Sequence, residues 1–416
     1  MKLEKYSLGI GDRFAHEAEA QLQAIILAKQ DKVLITPVWN KSYREHKLIG
    51  STPVSTRLQA DQAVRNLGWQ NAYYVDADHI NLANVDFFMN SCDFFTIDVA
   101  EAIGYPAAAE DLQKFINNQS KYIGELFLPA LERSISISRL QIEQVAEKYL
   151  FAAQQAGQIY RRIRKSKATD SFIVEVSMDE TDKPQTPLEI FFILSALAAQ
   201  KIPVQTLAPK FSGRFNKGVD YVGDLDMFQE EFEQDVIMVA TAIREFNLPA
   251  TLKLSVHSGS DKFSLYPVIH RILNKHNVGV HLKTAGTTWL GELTGLAEGG
   301  NGGLDLAKEI YGHSLEKFDE LCAPYASVID IDKSKLPAIE QVRNWDGMMF
   351  STALRHDRHH PNYNPHFRQL LHVGFKMAAQ IGERYVNALQ EYRQVIAQNV
   401  TTNLFNRHIK PLFLDS

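Results

Sequence analysis

The sequence predicts an α/β protein built as a (β/α)8 TIM-type barrel, with a helical insertion and extra C-terminal helices in one elaborated domain of residues 1–416. Eight short β-branched runs alternate with helical patterns, the signature of βα units around a parallel sheet. Reactive polar residues collect at the C-terminal ends of those runs, where the loops of a closed barrel converge on one mouth. A chain of 416 residues, 45% hydrophobic and 22% charged, has the size and composition of a soluble barrel with insertions.

In chain order, the expected strands are Tyr6–Gly11, Val33–Pro37, Ala72–Asp78, Phe94–Val99, Phe172–Met178, Val204–Ala208, Thr251–His257 and Val278–Lys283, with Ala326–Ile331 as an extra. Helices are expected over Leu188–Gln200, Met227–Phe246 and Leu265–Lys275. Two regions break the rhythm. From about Pro106 to Lys167 the pattern is helical, interrupted by Pro129 and closed by the basic run RRIRKSK, and it reads as a helical insertion on the barrel's rim. The basic run could meet an anion, but a solvated helix end explains it more simply. From about Asn364 to Val400 a helical extension is expected to pack across the outside.

Composition removes several classes of function. Lysine plus arginine is 44 against 49 acidic residues, a net charge of −5, which gives no support to nucleic-acid binding. The two cysteines, Cys92 and Cys322, exclude a disulfide scaffold and a cysteine-rich zinc module. The N-terminal MKLEKYSLGIGDRF has no apolar core of a signal peptide, and no run approaches the ~18 apolar residues of a membrane span. A cytoplasmic protein without membrane partners is expected. Oligomeric state stays open, a homo-oligomer included. GIGDRF near the start is not G-x-G-x-x-G, so a dinucleotide site is weakly supported.

The strand ends carry the chemistry. The third strand, YYVDADHI, ends in Asp76, Asp78 and His79. A period of two puts Glu175 and Ser177 on one face of the fifth strand, Lys253, Ser255 and His257 on one face of the seventh, and His281 and Lys283 on one face of the eighth. Inward histidines from separate strands can meet on the barrel axis. His79, His257 and His281, flanked by carboxylates, suit a divalent metal with an open position for substrate; hydrogen-bonded core histidines are the competing reading. The set admits zinc, manganese, nickel, cobalt or iron. RHDRHHP at 355–361 looks like a metal cluster but reads better as a solvated, capped turn, from which Arg355 and Arg358 could reach an anionic substrate. HSGS at 257–260 and KTAGT at 283–287 follow strands with small residues, suiting either an anion cradle or a tight turn.

The segment YYVDADHINLANVDFFMNSCDFFTIDVAEAIG resembles the metal-binding signature of class II aldolases, where the histidine of a strand-terminal Asp-His binds the metal and the aspartate moves a proton. LSVHSGS resembles a later aldolase strand that ends in a ligand histidine. An aldolase would offer another histidine where this chain has TLAPKFSGRF, so His281 must supply the third ligand from a different strand. Along nearly its whole length the chain looks like the bacterial tagaturonate/fructuronate epimerase family. The resemblance rests on VDADHI (75–80), FFTIDVAEAIG (94–104), VEVSMDET (174–181), APKFSGRF (208–215), LSVHSGSDKF (254–263) and GVHLKTAGTTWLGEL (279–293).

That resemblance implies a metal-dependent hexuronate epimerase on a barrel. Tagaturonate and fructuronate differ at C4, beyond the carbon that a C2 ketone acidifies, so direct deprotonation at C4 is poor chemistry. Retro-aldol opening of C3–C4, rotation of the aldehyde and reclosure would invert C4. Transient oxidation at C4 is the other route, and the missing dinucleotide fingerprint counts against it. Asp78 and Glu175 are then the expected acid and base, and Lys210, Arg214, Lys253 and Lys283 the expected holders of the substrate carboxylate, with Ser258 beside them. Each basic residue could equally be solvated. A class II-type aldolase or lyase on a keto sugar acid would use the same residues and release fragments. A sugar-acid binding protein that has lost its chemistry is the non-enzymatic alternative.

Overall fold

Eight parallel strands close into a barrel in the computed structural model, which describes residues 1, 3–167, 171–284 and 286–414. The barrel strands are β1 (Tyr6–Gly11), β2 (Ile35–Ser42), β3 (Tyr74–Ile80), β4 (Phe94–Asp98), β7 (Ile173–Ser177), β8 (Thr206–Ala208), β9 (Lys253–His257) and β10 (Val280–Thr284). Around the ring they run β1-β10-β9-β8-β7-β4-β3-β2. All eight expected runs are strands. Ala326–Ile331 is not; it is a turn followed by irregular chain.

Alternation along each strand sorts the residues into two cores. Leu8, Ile10, Val75, Ala77, Phe95, Ile97, Val174, Val176, Leu254, Val256 and Leu282 face outward and are buried under the helices. Those helices include α1 (Ala18–Gln30), α2 (Tyr43–Ile49), α3 (Pro53–Asn66), α4 (Ala109–Gln119), α5 (Arg139–Lys167), α6 (Pro187–Ala199), α7 (Leu225–Phe246), α8 (Tyr266–His276) and α9 (Thr287–Gly299). Inside the barrel, Leu3, Val38, Tyr74, Phe94 and Ile173 form an apolar plug at the N-terminal end. The layers above it, toward the strand C-termini, are polar. The apolar floor keeps water from entering from below, so the charged layers open only at the mouth.

Residues 106–167 are not helical throughout. Between α4 and α5 lies an antiparallel hairpin, β5 (Gly124–Leu128) with β6 (Arg133–Ile137), its tip formed by Pro129–Leu131. Pro129 ends a strand rather than a helix, because the flanking GELFL and RSISI alternate with period two. Tyr122, just before the hairpin, packs edge-on against Phe191 of α6 and Phe246 of α7. The insertion therefore wraps the flank of the outer ring. The basic run RRIRKSK forms the last turns of α5.

The C-terminal third builds a second core with α9, including Trp289, Leu293, Tyr311, Phe350, Phe367 and Tyr385. Helix Arg393–Asn403 lies against α9 and α1. Helix Pro365–Val373 goes elsewhere: its Arg368 and His372 reach the loops at the barrel mouth. Gly286 and Gly218, at positive φ of 82° and 78°, make room for His372; a Cβ on Gly286 would lie 2.3 Å from its ring nitrogen. No described helix is long and apolar enough to cross a membrane.

Candidate active site

β3 delivers two neighbouring residues to one place. Strict alternation would turn His79 away from Asp78, but the β3–β4 register shifts between Ala77 and Ile80, and His79 takes φ of 51°. A bulge of this kind re-aims a side chain at the end of a strand, and a left-handed histidine is uncommon enough to mark a constrained position. The result is an imidazole whose Nδ1 faces Asp98 Oδ2 at 3.3 Å and whose Nε2 lies 3.8 Å from Asp78 Oδ1.

His257 ends β9, its ring centre 5.2 Å from that of His79. Its Nε2 meets Glu175 Oε1 at 2.8 Å and its Nδ1 faces Asp179 Oδ2 at 3.0 Å. Among the described residues, His79, Asp179 and His257 each offer a ligand atom, all within 4.8 Å of one another. Asp98 and Glu175 hold the opposite ring nitrogens, the outer-shell carboxylate arrangement that orients ligating histidines.

Beneath this group Lys283 crosses the barrel from β10. Its ammonium lies 2.8 Å from Asp76 Oδ2, 2.8 Å from Asp78 Oδ1 and 2.9 Å from Glu175 Oε1. Gly9 on β1 lets it through: a Cβ there would stand 2.6 Å from Lys283 Cγ. The Thr96 hydroxyl lies 3.0 Å from both Asp76 oxygens and 3.2 Å from Glu175, and Thr206 donates to Glu175 at 2.7 Å.

The electrostatics follow from burial set against these contacts. Burial alone would lower the Lys283 ammonium, but Asp76, Asp78 and Glu175 outweigh it and raise its pKa well above the lysine range. Burial pushes Glu175 upward, yet Lys283 and His257 hold it well below the usual carboxylate value. Asp76 is pushed up to about 6, burial prevailing over Lys283. Both histidines are raised against their burial, His257 to about 9 by Asp179 and Glu175, and His79 by Asp78 and Asp179. Five carboxylates thus crowd two histidines and one lysine. Such a surplus of buried negative charge, with two imidazoles and a carboxylate converging, fits a divalent cation with free positions for substrate. The residues that would hold it are His79, Asp179 and His257.

Several residues expected in the site lie elsewhere. His281 is on the inward face but one layer too low: Nδ1 pairs with Ser7 Oγ at 2.8 Å, its ring packs 5.4 Å from Phe94, and burial lowers it to about 3. Asp179, in the loop after β7, takes the third place in the cluster, the place that His281 was expected to fill from the last strand. Lys253 begins β9 at the far end of the barrel, donating to the carbonyls of Glu4 and Lys5, and burial lowers it to about 7. Ser258 is buried, its hydroxyl given to the Lys283 carbonyl at 2.7 Å. Arg214 is exposed and faces Asp330 at 3.4 Å. The backbone N–H of Lys210 donates to Gln185. Asp78 is at the mouth but largely enclosed, its side chain 14% exposed, while Glu175 is completely buried. In the 355–361 run, His356 is buried against Asp261 at 3.3 Å rather than solvated, and Arg355 pairs with Glu298 at 2.7 Å. Sequence reasoning missed Asp98, which satisfies the rule it used, an acid at the end of a barrel strand, and Asp179, which lies two residues beyond β7.

A family model for UxaE, tagaturonate epimerase, matches residues 1–412. The chain is 28% identical over 420 residues to a tagaturonate/fructuronate epimerase of Thermotoga maritima, covering 97% of this chain and 80% of that protein. Crystal structures of the fructuronate-tagaturonate epimerase UxaE from Cohnella laeviribosi have the same fold. One glycerol complex superposes with a TM-score of 0.81 at 23% identity, over 99% of this chain and 82% of the other. A second glycerol complex gives 0.82 at 22% identity, over 100% and 83%.

Proposed function

Because the chain belongs to the UxaE tagaturonate epimerase family, we propose that it interconverts tagaturonate and fructuronate by opening and reclosing the C3–C4 bond. As a family member it is an isomerase-type enzyme acting on a sugar acid. The observation that carries the mechanistic reading is the convergence of His79, Asp179 and His257 directly above the Lys283–Asp78 pair. A divalent cation held by that trio would act as a Lewis acid on the C2 ketone and lower the cost of carbanion character at C3.

This chain's residues then manage the protons. Asp78, held ionised by Lys283 at 2.8 Å and open to the mouth, accepts the hydroxyl proton from O4 as the C3–C4 bonding pair moves to C3 and into the C2 carbonyl. The products of that step are an enediolate and an aldehyde, both retained. The aldehyde turns, the C3 carbanion attacks its other face, and Asp78 returns the proton to O4 with C4 inverted. Glu175 is recast from proton carrier to positioning group: it is fully buried and holds Lys283, His257, Thr96 and Thr206 together. Lys283 keeps compensating charge beside Asp78, so loss and regain of a proton there does not leave the layer uncompensated.

The direct test is incubation of the protein with tagaturonate and with fructuronate, before and after chelation and with metal returned. The reading expects each substrate to give the other, loss of turnover on chelation and recovery with a divalent cation. Turnover that survives a stripped, metal-free preparation would contradict the metal-assisted route.

A further inference from the structure

We propose that Arg44 and Lys217, which meet on the ring of Tyr325 at the barrel mouth, seat the terminal carboxylate of the substrate, with Arg13, stacked on Phe375, lending further positive charge nearby. The inference rests on the hexuronate reading above and names residues of the site that the sequence did not suggest.

The three cations come from different loops. Arg13 follows β1, Arg44 opens the helix after β2, and Lys217 lies in the loop after β8. In the closed order β1-β10-β9-β8-β7-β4-β3-β2, β2 and β8 stand on opposite sides of the barrel. Side chains from opposite walls meet only above the mouth, and here they meet on one ring: the Arg44 guanidinium and the Lys217 ammonium each lie 5.2 Å from the centre of Tyr325. Tyr325 belongs to a segment of the C-terminal region laid over the opening. The backbone N–H of Lys217 donates to Val328 in that segment at 2.7 Å, which locks the β8 loop to the cover.

The charge is unbalanced. Among the described residues no carboxylate lies within 4.0 Å of the Lys217 ammonium or of the Arg44 guanidinium, whereas Arg13 pairs with Glu45 at 3.2 Å and donates to the His372 carbonyl at 2.9 Å. Burial lowers Lys217, and Arg13 and Arg44 lower it further against the weaker pull of Glu45 and Glu180. Arg44 is exposed and solvated, so the cost of the unmatched charge falls on Lys217, which burial disfavours and a bound carboxylate would relieve.

Their position suits the substrate. Ser42, two residues before Arg44, pairs in register with Asp78, and Glu180, which Lys217 senses, follows Asp179. The cationic group therefore stands one loop above the proposed reacting layer. With the C2 ketone below, C6 lies four bonds farther on, toward the rim. The basic residues expected from the sequence leave this role open: Lys283 is saturated by three carboxylates and Lys253 points into the floor.

The test uses full-length Lys217→Met and Arg44→Met proteins, with Lys217→Arg as the conservative control. Tagaturonate kinetics, metal content, inhibition by neutral D-tagatose and calorimetric binding of D-galactonate, an unreactive sugar acid, are measured for each. The expected result is a KM for tagaturonate raised by about 10-fold or more in Lys217→Met, whose side chain is half-buried, and by less in Arg44→Met, whose side chain is exposed. Galactonate binding should weaken in parallel, while kcat, metal content and tagatose inhibition stay near wild type and Lys217→Arg recovers most of the affinity. Equal losses toward tagatose and tagaturonate, or an unmoved KM, would overturn the proposal. Galactonate binding that depends on Lys217 and Arg44 in a protein that does not epimerise tagaturonate would support the anion seat and refute the epimerase reading. Normal epimerisation with unaffected variants would do the reverse.

Discussion

Asp179 and His281 show what strand periodicity can and cannot give. A period of two assigns a residue to the inside or the outside of a barrel, but not to a height along its axis. His281 and Lys253 are inward as expected, yet His281 sits beside Ser7 and Phe94, and Lys253 at the floor. His79 was legible through its Asp-His motif, although the bulge and positive φ that turn it toward His257 were not. Asp179 escaped notice because it lies two residues beyond β7, where alternation no longer applies. The contrast can be measured. Asp179→Asn and His257→Ala are expected to lower bound metal several-fold or more, whereas His281→Ala should leave metal content unchanged and cost only stability. Metal analysis of the three purified proteins checks this; metal loss in His281→Ala alone would reverse the assignment.

At the scale of elements, eight strands were legible because each combines β-branched residues with flanking turn signals. The β5–β6 hairpin was not, since two five-residue strands beside long helices are easily absorbed into a helical pattern. One strand position has a sharp functional consequence. Gly9→Ala would place a methyl 2.6 Å from Lys283 Cγ and force that side chain off Asp76, Asp78 and Glu175. Turnover should fall about 100-fold, as for an ~1 Å misplacement of a reacting group, with the circular dichroism of the folded barrel retained. The start of α1 holds a second consequence. Glu17 is raised to about 8 by burial and then by Asp12 and Glu19. A carboxyl whose folded value exceeds its unfolded one favours the fold when protonated. Its contribution is therefore complete below about 4.5 and is lost as pH rises toward about 8, a change on the order of 3 kcal/mol by pH 7. Glu17→Gln should flatten that loss in denaturant melts between pH 5 and 8; an unchanged pH profile would place the cause elsewhere.

Over the whole molecule, the barrel supplies the layer proposed to react and the C-terminal region packs on the loops around it. Asp261, in the loop after β9, accepts from Arg368 at 2.5 Å and lies 3.2 Å from His408 and 3.3 Å from His356. That buried cluster fastens helices far along the chain to the loop that follows His257. No local pattern announces such packing, because helical periodicity gives a face to bury and not the partner that buries it. That packing matters for a mechanism that opens a carbon–carbon bond and must keep both fragments until they rejoin. Retro-aldol inversion leaves the C4 hydrogen on its carbon throughout. The decisive measurement is epimerisation of tagaturonate in heavy water, with the fructuronate formed examined by proton NMR. The account predicts a product that retains protium at C4 and no free three-carbon fragments; deuterium at C4, or the accumulation of fragments, would contradict it.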